Sequence, residues 1–358
     1  MKKLVFISLE HWDDIWRRNQ FFADRMQTDF DVDYVGPVLP ITQLFKSKQK
    51  KYQNIKCHYI YKIIPKKLGK LAYWINLVFY SIQILIKIGL KTDILWINNH
   101  ECHFFSNILK SCRCIYDITD DWTLINYPEK LRKAVSKADY MMSKDSDEII
   151  VCSENLYTKK SIKFKEKLHL IKNGINIEDY QVSNELNVTG GYFLYTGSLH
   201  QERLDVDLMI NIAAVYPDET FMYVGPIFFD EETRRKLQLH QNIILTGAKP
   251  YKNMPKLMAM SKALIVPHLQ TKFVNSLDPI KQYEYMMSDK AVIVTNVSGF
   301  NEWGSIYTVV KTSDAFIDAI KVVIQNQIKV DVVLRKKMAE KNTWDIRYKE
   351  VKSVLKSV

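Results

Sequence analysis

No G-x-G-x-x-G run occurs anywhere in the 358 residues, which removes the usual support for a nicotinamide or flavin site. Cysteine is sparse: Cys57, Cys102, Cys112, Cys114 and Cys152 are odd in number and lack zinc-ligand spacing. That pattern fits buried free thiols in a reducing compartment and excludes a disulfide framework. No short-period repeat or low-complexity tract is evident, and 47% hydrophobic with 25% charged residues describes a folded chain, not a disordered one. The opening "MKKLVFISLEHW" has an apolar run too short for a secretory leader and is interrupted by Glu10. It reads as a first strand, and a cytoplasmic protein is expected. Acidic residues are the scarcer charge, 40 Asp and Glu against 51 Lys and Arg, leaving a formal net charge of +11. Such an excess suits nucleic acid, acidic lipid headgroups or phosphorylated small molecules. Nucleic acid is not expected, because no RNA-binding signature and no basic stripe with interleaved aromatics is present.

What the sequence does contain is alternation. Apolar runs of strand length are separated by helix-period segments, the signature of βα units around a parallel sheet. In the first half the strands fall near 3–8, 32–35, 58–60, 94–97, 114–118 and 149–152. Asn173-Gly174 is a turn signal, and polar residues follow to 191. A second set begins at Tyr192 with "YFLYTGS", "ETFMYVGP", "NIILTG", "ALIVPH", "KAVIVT" and "IYTVVKT". The length is too great for one ordinary core. The expected fold class is therefore α/β: an N-terminal Rossmann-like domain over 1–172, a linker over 173–191, and a second over 192–342.

One segment stands apart. From Lys66 to Lys91 the chain is long and apolar, yet Asn76, Tyr80, Gln83 and Lys87 recur at helical spacing as one narrow polar stripe. Lys62, Lys66, Lys67 and Lys70 crowd one end, near Tyr73 and Trp74. A helix lying on an anionic membrane surface has this form. A helix packed between the sheet and its neighbours is the alternative, and a membrane span would break the alternation that resumes at Thr92.

The chemistry is expected at strand ends, where doubly wound sheets bind ligands. Gly197 follows a strand, Arg203 lies six residues on, and a helix starts there, a plausible diphosphate site. In "NSLDPIKQYEYMMSDKAVIVT", Lys281 stands in the opening turn of a short helix, costly against the helix dipole unless an anion sits there. Glu284, one turn on, is an acceptor for hydroxyls such as those of a ribose. In "RCIYDITDDWTLINY", Asp120 and Asp121 end a strand, either as N-caps or as a base that takes a proton from an acceptor hydroxyl. His11, Trp12, Arg17 and Arg18 follow the first strand, and either arginine could reach a phosphate. His100 and His103 in "NNHECHFF" have the wrong spacing for the zinc-helix motif, and no metal is expected.

Five segments, "VCSENLYTKKSIKFKEKLHLIKNGINIEDY", "YTGSLHQERLD", "FMYVGP", "NIILTGAKPYKNMPKLMAMSKALIVPH" and "DPIKQYEYMMSDKAVIVT", stand in the order and spacing of GT-B fold glycosyltransferases. The chain resembles the bacterial family 4 enzymes of surface polysaccharide synthesis. "EHWDDIWRRNQFFADRM" resembles a subgroup with a tryptophan, then arginine, before its first helix. "NTWDIRYKEVKSVL" is similar to the terminal helix, here 343–358, that crosses back to the first domain. The resemblance implies two Rossmann-like domains facing each other across a cleft. It implies that Glu284 binds the ribose, that Arg203 contacts the diphosphate, and that Lys281 assists the phosphates or the sugar. The backbone at Gly225-Pro226 and from Gly247 to Tyr251 would hold the base. Many family members carry a second glutamate eight positions before the ribose-binding one. Here that place is Ser276, flanked by Asn275 and Asp278, so the groups that face the sugar differ. An aspartate pair also replaces the histidine that many relatives carry at 120–121.

The expected function is metal-independent glycosyl transfer from a nucleotide-diphosphate sugar, a co-substrate and not a cofactor, to a saccharide or lipid-linked acceptor at the inner face of the membrane. The alternatives are a nucleotide-sugar epimerase or hydrolase of the same fold, and a basic binding protein without chemistry.

Overall fold

The computed structural model describes residues 1–44, 50–52, 54–65, 70–89, 91–109, 113–180 and 191–356. Lys66, Lys67, Cys112 and the stretch 181–190 of the expected linker lie outside the described residues. The chain divides into two compact units: Met1–Lys172 with Tyr348–Val358, and Asn173–Arg347.

In the first unit the strands are β1 (Lys2–Ile7), β2 (Phe30–Val35), β3 (Leu39–Pro40), β4 (Lys50–Tyr52), β5 (Ile55–His58), β6 (Tyr61–Lys62), β7 (Ile94–Ile97), β8 (Arg113–Ile118), β9 (Glu148–Val151) and β10 (Leu168–Leu170). Eight of them form one sheet in the order β10-β9-β8-β7-β1-β2-β5-β4, while β3 pairs with β6. The register is parallel throughout the sheet, for example Leu4 beside Val32 and Ile94, with only β4 antiparallel to β5. Parallel strands are covered on both faces and so read as continuous apolar runs. Leu4, Val5 and Phe6 are fully buried, with Phe6 stacked between Tyr34 and Trp96 at 5.5 Å each.

The helices of this unit are α1 (Arg18–Met26), α2 (Lys70–Lys87), α3 (Phe104–Ile108), α4 (Glu129–Asp145) and α5 (Glu154–Phe164). Ser153 caps α5 through the Leu156 amide. Helix α2 packs Tyr80 and Ile84 into the core, and Ile88 joins them directly after its end. Its polar stripe also faces inward. Asn76 accepts from the Ile63 and Ile64 amides at 3.0 and 3.1 Å and donates to the Ile64 carbonyl at 2.7 Å. Gln83 brackets Tyr61 in the same way, and Lys87 donates to the Tyr59 carbonyl at 2.6 Å. Side-chain amides thus satisfy backbone groups that would otherwise be buried without partners. Among the described residues no helix is long and apolar enough to cross a membrane.

The second unit contains β11 (Tyr192–Thr196), β12 (Thr220–Val224), β13 (Ile243–Gly247), β14 (Ser261–Val266), β15 (Ala291–Thr295) and β16 (Thr308–Val310), all parallel in the order β13-β12-β11-β14-β15-β16. Its helices are α6 (Val206–Val215), α7 (Glu231–Gln238), α8 (Met254–Ala259), α9 (Lys281–Glu284), α10 (Ser313–Ile324) and α11 (Val332–Glu340). Asp205, Asp230, Thr312 and Asp331 cap α6, α7, α10 and α11, so the sequence states where these helices begin. A last helix, α12 (Trp344–Lys356), starts in the second unit and ends in the first. Both units are Rossmann-like.

Candidate functional site

In the second sheet β11 is flanked by β12 on one side and β14 on the other. The strand order reverses there, and loops that leave such a pair open the crevice where doubly wound sheets bind ligands. Gly197, directly after β11, has φ of +133°, and Gly225, directly after β12, has φ of +152°. A Cβ on Gly225 would stand 2.0 Å from the Gly197 carbonyl oxygen, and one on Gly197 would stand 2.8 Å from Lys281 Nζ. Only glycine lets these backbones and the lysine approach so closely. The Leu199 amide then donates to the Pro226 carbonyl at 2.8 Å, tying the two loops together.

Lys281 opens α9, a helix of only four residues that passes into a 3-10 turn at Tyr285. Its ammonium lies 3.9 Å from the centre of the Tyr195 ring and 2.5 Å from the Tyr195 hydroxyl. That hydroxyl is 3.3 Å from Nε2 of His268, a fully buried residue two positions beyond β14. Burial above all holds the His268 imidazole well below the ordinary histidine pKa, and the charges of Lys281 and Arg203 push it the same way. Arg203 also stacks its guanidinium 5.6 Å over Phe273. The structure therefore brings Gly197, Arg203 and Lys281 together around a neutral imidazole. Two cations at one loop junction have the charge to attract an anion of more than one charge.

Glu284 is buried at the other end of α9. Its carboxylate accepts from the hydroxyls of Tyr251 and Tyr180, themselves 3.1 Å apart. Burial raises its pKa, while these hydrogen bonds and the Lys281 charge oppose the rise. Tyr251 stands four residues past Gly247, which ends β13.

The neighbouring loop is spent on scaffolding. Asp278 accepts from the Asn173 amide at 2.6 Å, from Gln282 at 2.5 Å and from the Tyr283 hydroxyl at 3.0 Å. Asn275 accepts from the Ser298 amide at 2.8 Å, and the buried Ser276 hydroxyl donates to the Phe273 carbonyl at 2.6 Å. These three hold the approach to α9 in place.

In the first unit the reversal lies between β1 and β7. Asn19 ties the two strand ends, donating to Ser8 at 3.0 Å and to Asn98 at 2.7 Å. The same amide reaches Glu10, which also accepts from Ser8 at 3.2 Å and lies 3.6 Å from Arg17. Burial raises the Glu10 pKa, Arg17 and the hydrogen bonds lower it, and the charge of Asp120 raises it again. Glu10 and Asp120 are therefore neighbours at the ends of β1 and β8. The sequence signal for Glu10 was only its place two residues beyond the first strand.

Asp121 is taken up locally. It caps the turn Trp122–Leu124, accepts from the Thr123 hydroxyl at 2.5 Å and pairs with Lys159 at 2.6 Å. Asp120 is half-buried at the strand end. The two arginines part company. Arg18 is buried, its Nε 3.0 Å from both Asp117 oxygens, and it donates to the Lys172 carbonyl at 3.2 Å. Arg17 is half-exposed beside Glu10. Trp12 packs edge-on against Trp16 and Tyr34 at 5.2 and 5.3 Å and belongs to the core.

Residues 190–326 match the family described as glycosyl transferases group 1. A putative teichuronic acid biosynthesis glycosyltransferase, TuaH of Bacillus subtilis, is 25% identical over 280 residues, 72% of this chain and 70% of that one. Among solved structures, Anabaena Alr3699/HepE in complex with UDP and glucose superposes with a TM-score of 0.73 at 15% identity, over the whole of both chains. An alpha,alpha-trehalose-phosphate synthase (UDP-forming) from Burkholderia vietnamiensis gives 0.67 at 12%, covering 100% of this chain and 99% of that one. At such identities the structural likeness concerns the fold.

Proposed function

We propose that the chain is a glycosyltransferase of the GT-B fold, with its group 1 domain at residues 190–326, and that it transfers a sugar from a nucleotide-diphosphate donor to a saccharide or lipid-linked acceptor in surface polysaccharide synthesis. The observation that carries the donor assignment is the convergence of Arg203 and Lys281 on His268 at the β11–β14 reversal. As the glycosidic bond breaks, negative charge grows on the leaving diphosphate. Fixed cations stabilise that charge without reorganising. This is work that a divalent metal can do elsewhere, so transfer is expected to proceed in EDTA.

Glu284 takes the ribose. It already accepts from two hydroxyls 3.1 Å apart, those of Tyr180 and Tyr251, as it would from adjacent sugar hydroxyls. The glycine turns at 197 and 225 and the loop from Gly247 to Tyr251 supply backbone for the phosphates and the base. Asn275, Ser276 and Asp278 position α9 and bear on the sugar through it.

In the first unit the base that takes the acceptor proton is Asp120, half-buried at the end of β8 where its charge reaches Glu10, while Asp121 caps its turn and pairs with Lys159. Arg17, beside Glu10, is the arginine placed to meet an acceptor phosphate. The Bacillus subtilis relative carries the name of a surface-polymer pathway, and an acceptor growing at the inner face of the membrane fits a cytoplasmic enzyme.

UDP-glucose is the first donor to test, because the Anabaena protein holds UDP and glucose. Purified protein in EDTA with UDP-sugars and a lipid-linked saccharide should release UDP and extend the acceptor. Free sugar or an epimerised nucleotide sugar with no extended product would assign the site to a hydrolase or epimerase instead.

A further inference from the structure

The whole-chain charge conceals an uneven distribution. Between Tyr34 and Thr92 the sequence holds eleven lysines and no aspartate or glutamate. The remainder of the chain carries forty basic and forty acidic residues, so this one segment accounts for the entire net charge of +11. Helix α2 lies inside it. Because the Asn76, Gln83 and Lys87 stripe is turned inward onto the backbone of 59–64, the outer face is left to apolar side chains. Trp74 is 61% exposed, Ile75 40%, Val78 60%, Ile82 48%, Leu85 49% and Ile86 77%. At about 100° per residue these six fall within an arc of roughly 120°, one unbroken stripe along the helix. Ile63, 47% exposed and hydrogen-bonded to Asn76, extends the stripe at the Trp74 end.

Aqueous surfaces do not ordinarily carry so long an apolar band, and a helix meant for water would show its polar stripe outward. We propose that the outer face of α2 docks into an anionic lipid leaflet, with Trp74, Val78, Ile82 and Ile86 entering the acyl boundary and the lysines that flank the helix in sequence meeting the headgroups. Charge complementarity selects this occupant. A protein groove would satisfy the apolar band alone, and a nucleic acid would satisfy the lysines alone. Only an acidic bilayer presents both at the depth of one helix. Lys62 and Lys91 flank the helix in sequence, and no acidic residue between 34 and 92 opposes the field. This deepens the membrane-facing part of the reading above and would bring the enzyme to a lipid-linked acceptor.

The experiment is flotation of the full-length protein with vesicles of phosphatidylcholine alone and with phosphatidylglycerol added, at low and high salt. The wild type is expected to float with the anionic vesicles, to lose most of that binding in high salt, and to ignore the neutral ones. The double variant Ile82→Glu, Ile86→Glu is expected to bind about tenfold less or weaker while keeping its melting temperature and its affinity for UDP-glucose. Flotation of that variant equal to wild type would overturn the assignment of this face while leaving a membrane role intact. A wild type that ignores both vesicle types would overturn membrane docking and leave glycosyl transfer untouched. Salt-sensitive binding of a DNA oligonucleotide, unaffected by the double variant and stronger than vesicle binding, would assign the lysines to a polyanion instead and also overturn it.

Discussion

The two strand-order reversals are built on the same plan and differ in charge: the second unit's gathers cations, whereas at the first unit's Glu10 stands beside Arg17, with Asp120 at the nearby end of β8. Beyond β11 and β14 stand Arg203, Lys281 and an imidazole kept neutral by both of them and by burial. Beyond β1 and β8 stand Glu10 and Asp120, close enough for one to raise the other's pKa. The doubly wound sheet fixes where chemistry can happen, and the loops fix its sign. A cationic junction favours a pyrophosphate. A carboxylate pair favours taking a proton from a neutral hydroxyl. The same contrast applies to arginine: Arg203 faces the loop junction of its unit, whereas Arg18, equally well placed in sequence, is buried against Asp117.

That contrast can be broken experimentally, and the largest effect is expected where a cation is structural. Removing Arg18 leaves Asp117 buried without its partner, so Arg18→Ala should cost about 3–5 kcal/mol and visibly lower the melting temperature. If Arg18→Ala melts like wild type but loses donor binding, Arg18 belongs with the phosphates and the contrast fails.

Asp120→Asn sharpens the comparison from the anionic side. It should lower turnover by roughly a hundredfold while donor affinity changes little. Asp121→Asn should instead act on stability through the lost cap and Lys159 pair. A reversal of these two outcomes in parallel assays of turnover and melting would move the base to Asp121.

The smallest effect concerns His268. Its folded pKa is depressed, so below the ordinary value of 6.5 the unfolded chain takes up a proton that the folded chain refuses. Stability is therefore lost as pH falls, by at most about 1.4 kcal/mol per pH unit for one such group. Denaturant titrations between pH 7 and pH 5 should show the wild type losing stability relative to His268→Phe. Parallel pH profiles would mean that the imidazole takes up its proton in the folded state.

Much of the fold is legible in the sequence. Each apolar run of the second half, from "YFLYTGS" to "IYTVVKT", is a strand of the second sheet, because parallel strands buried on both faces leave a continuous signal. The strand expected near 58–60 falls earlier, at Ile55–His58, and Tyr59-Ile60 link it to β6, because the apolar run continues across a change of pairing partner. Strand β10, only three residues long, gave too short a pattern to separate from its surroundings. The spacing of Asn76, Gln83 and Lys87 marked one face of a helix but not its direction. Direction depends on which backbone groups lie nearby, and those of 59–64 drew the stripe inward. Arg17 and Arg18 are adjacent letters that a helix start sends to different environments. Glu10 enters the sequence reading only as the residue that interrupts the opening apolar run, because its nearness to Asp120 is a contact across more than a hundred residues that no local pattern encodes.

The central claim is that Arg203, Lys281 and Glu284 hold a sugar nucleotide without a metal. Calorimetric titration of UDP-glucose in EDTA, with wild type and with Arg203→Ala, Lys281→Ala and Glu284→Ala, tests it most directly. Binding by the wild type is expected, with each truncation weakening it by about 2–5 kcal/mol while the fold persists. Equal affinity in all four proteins would contradict the account.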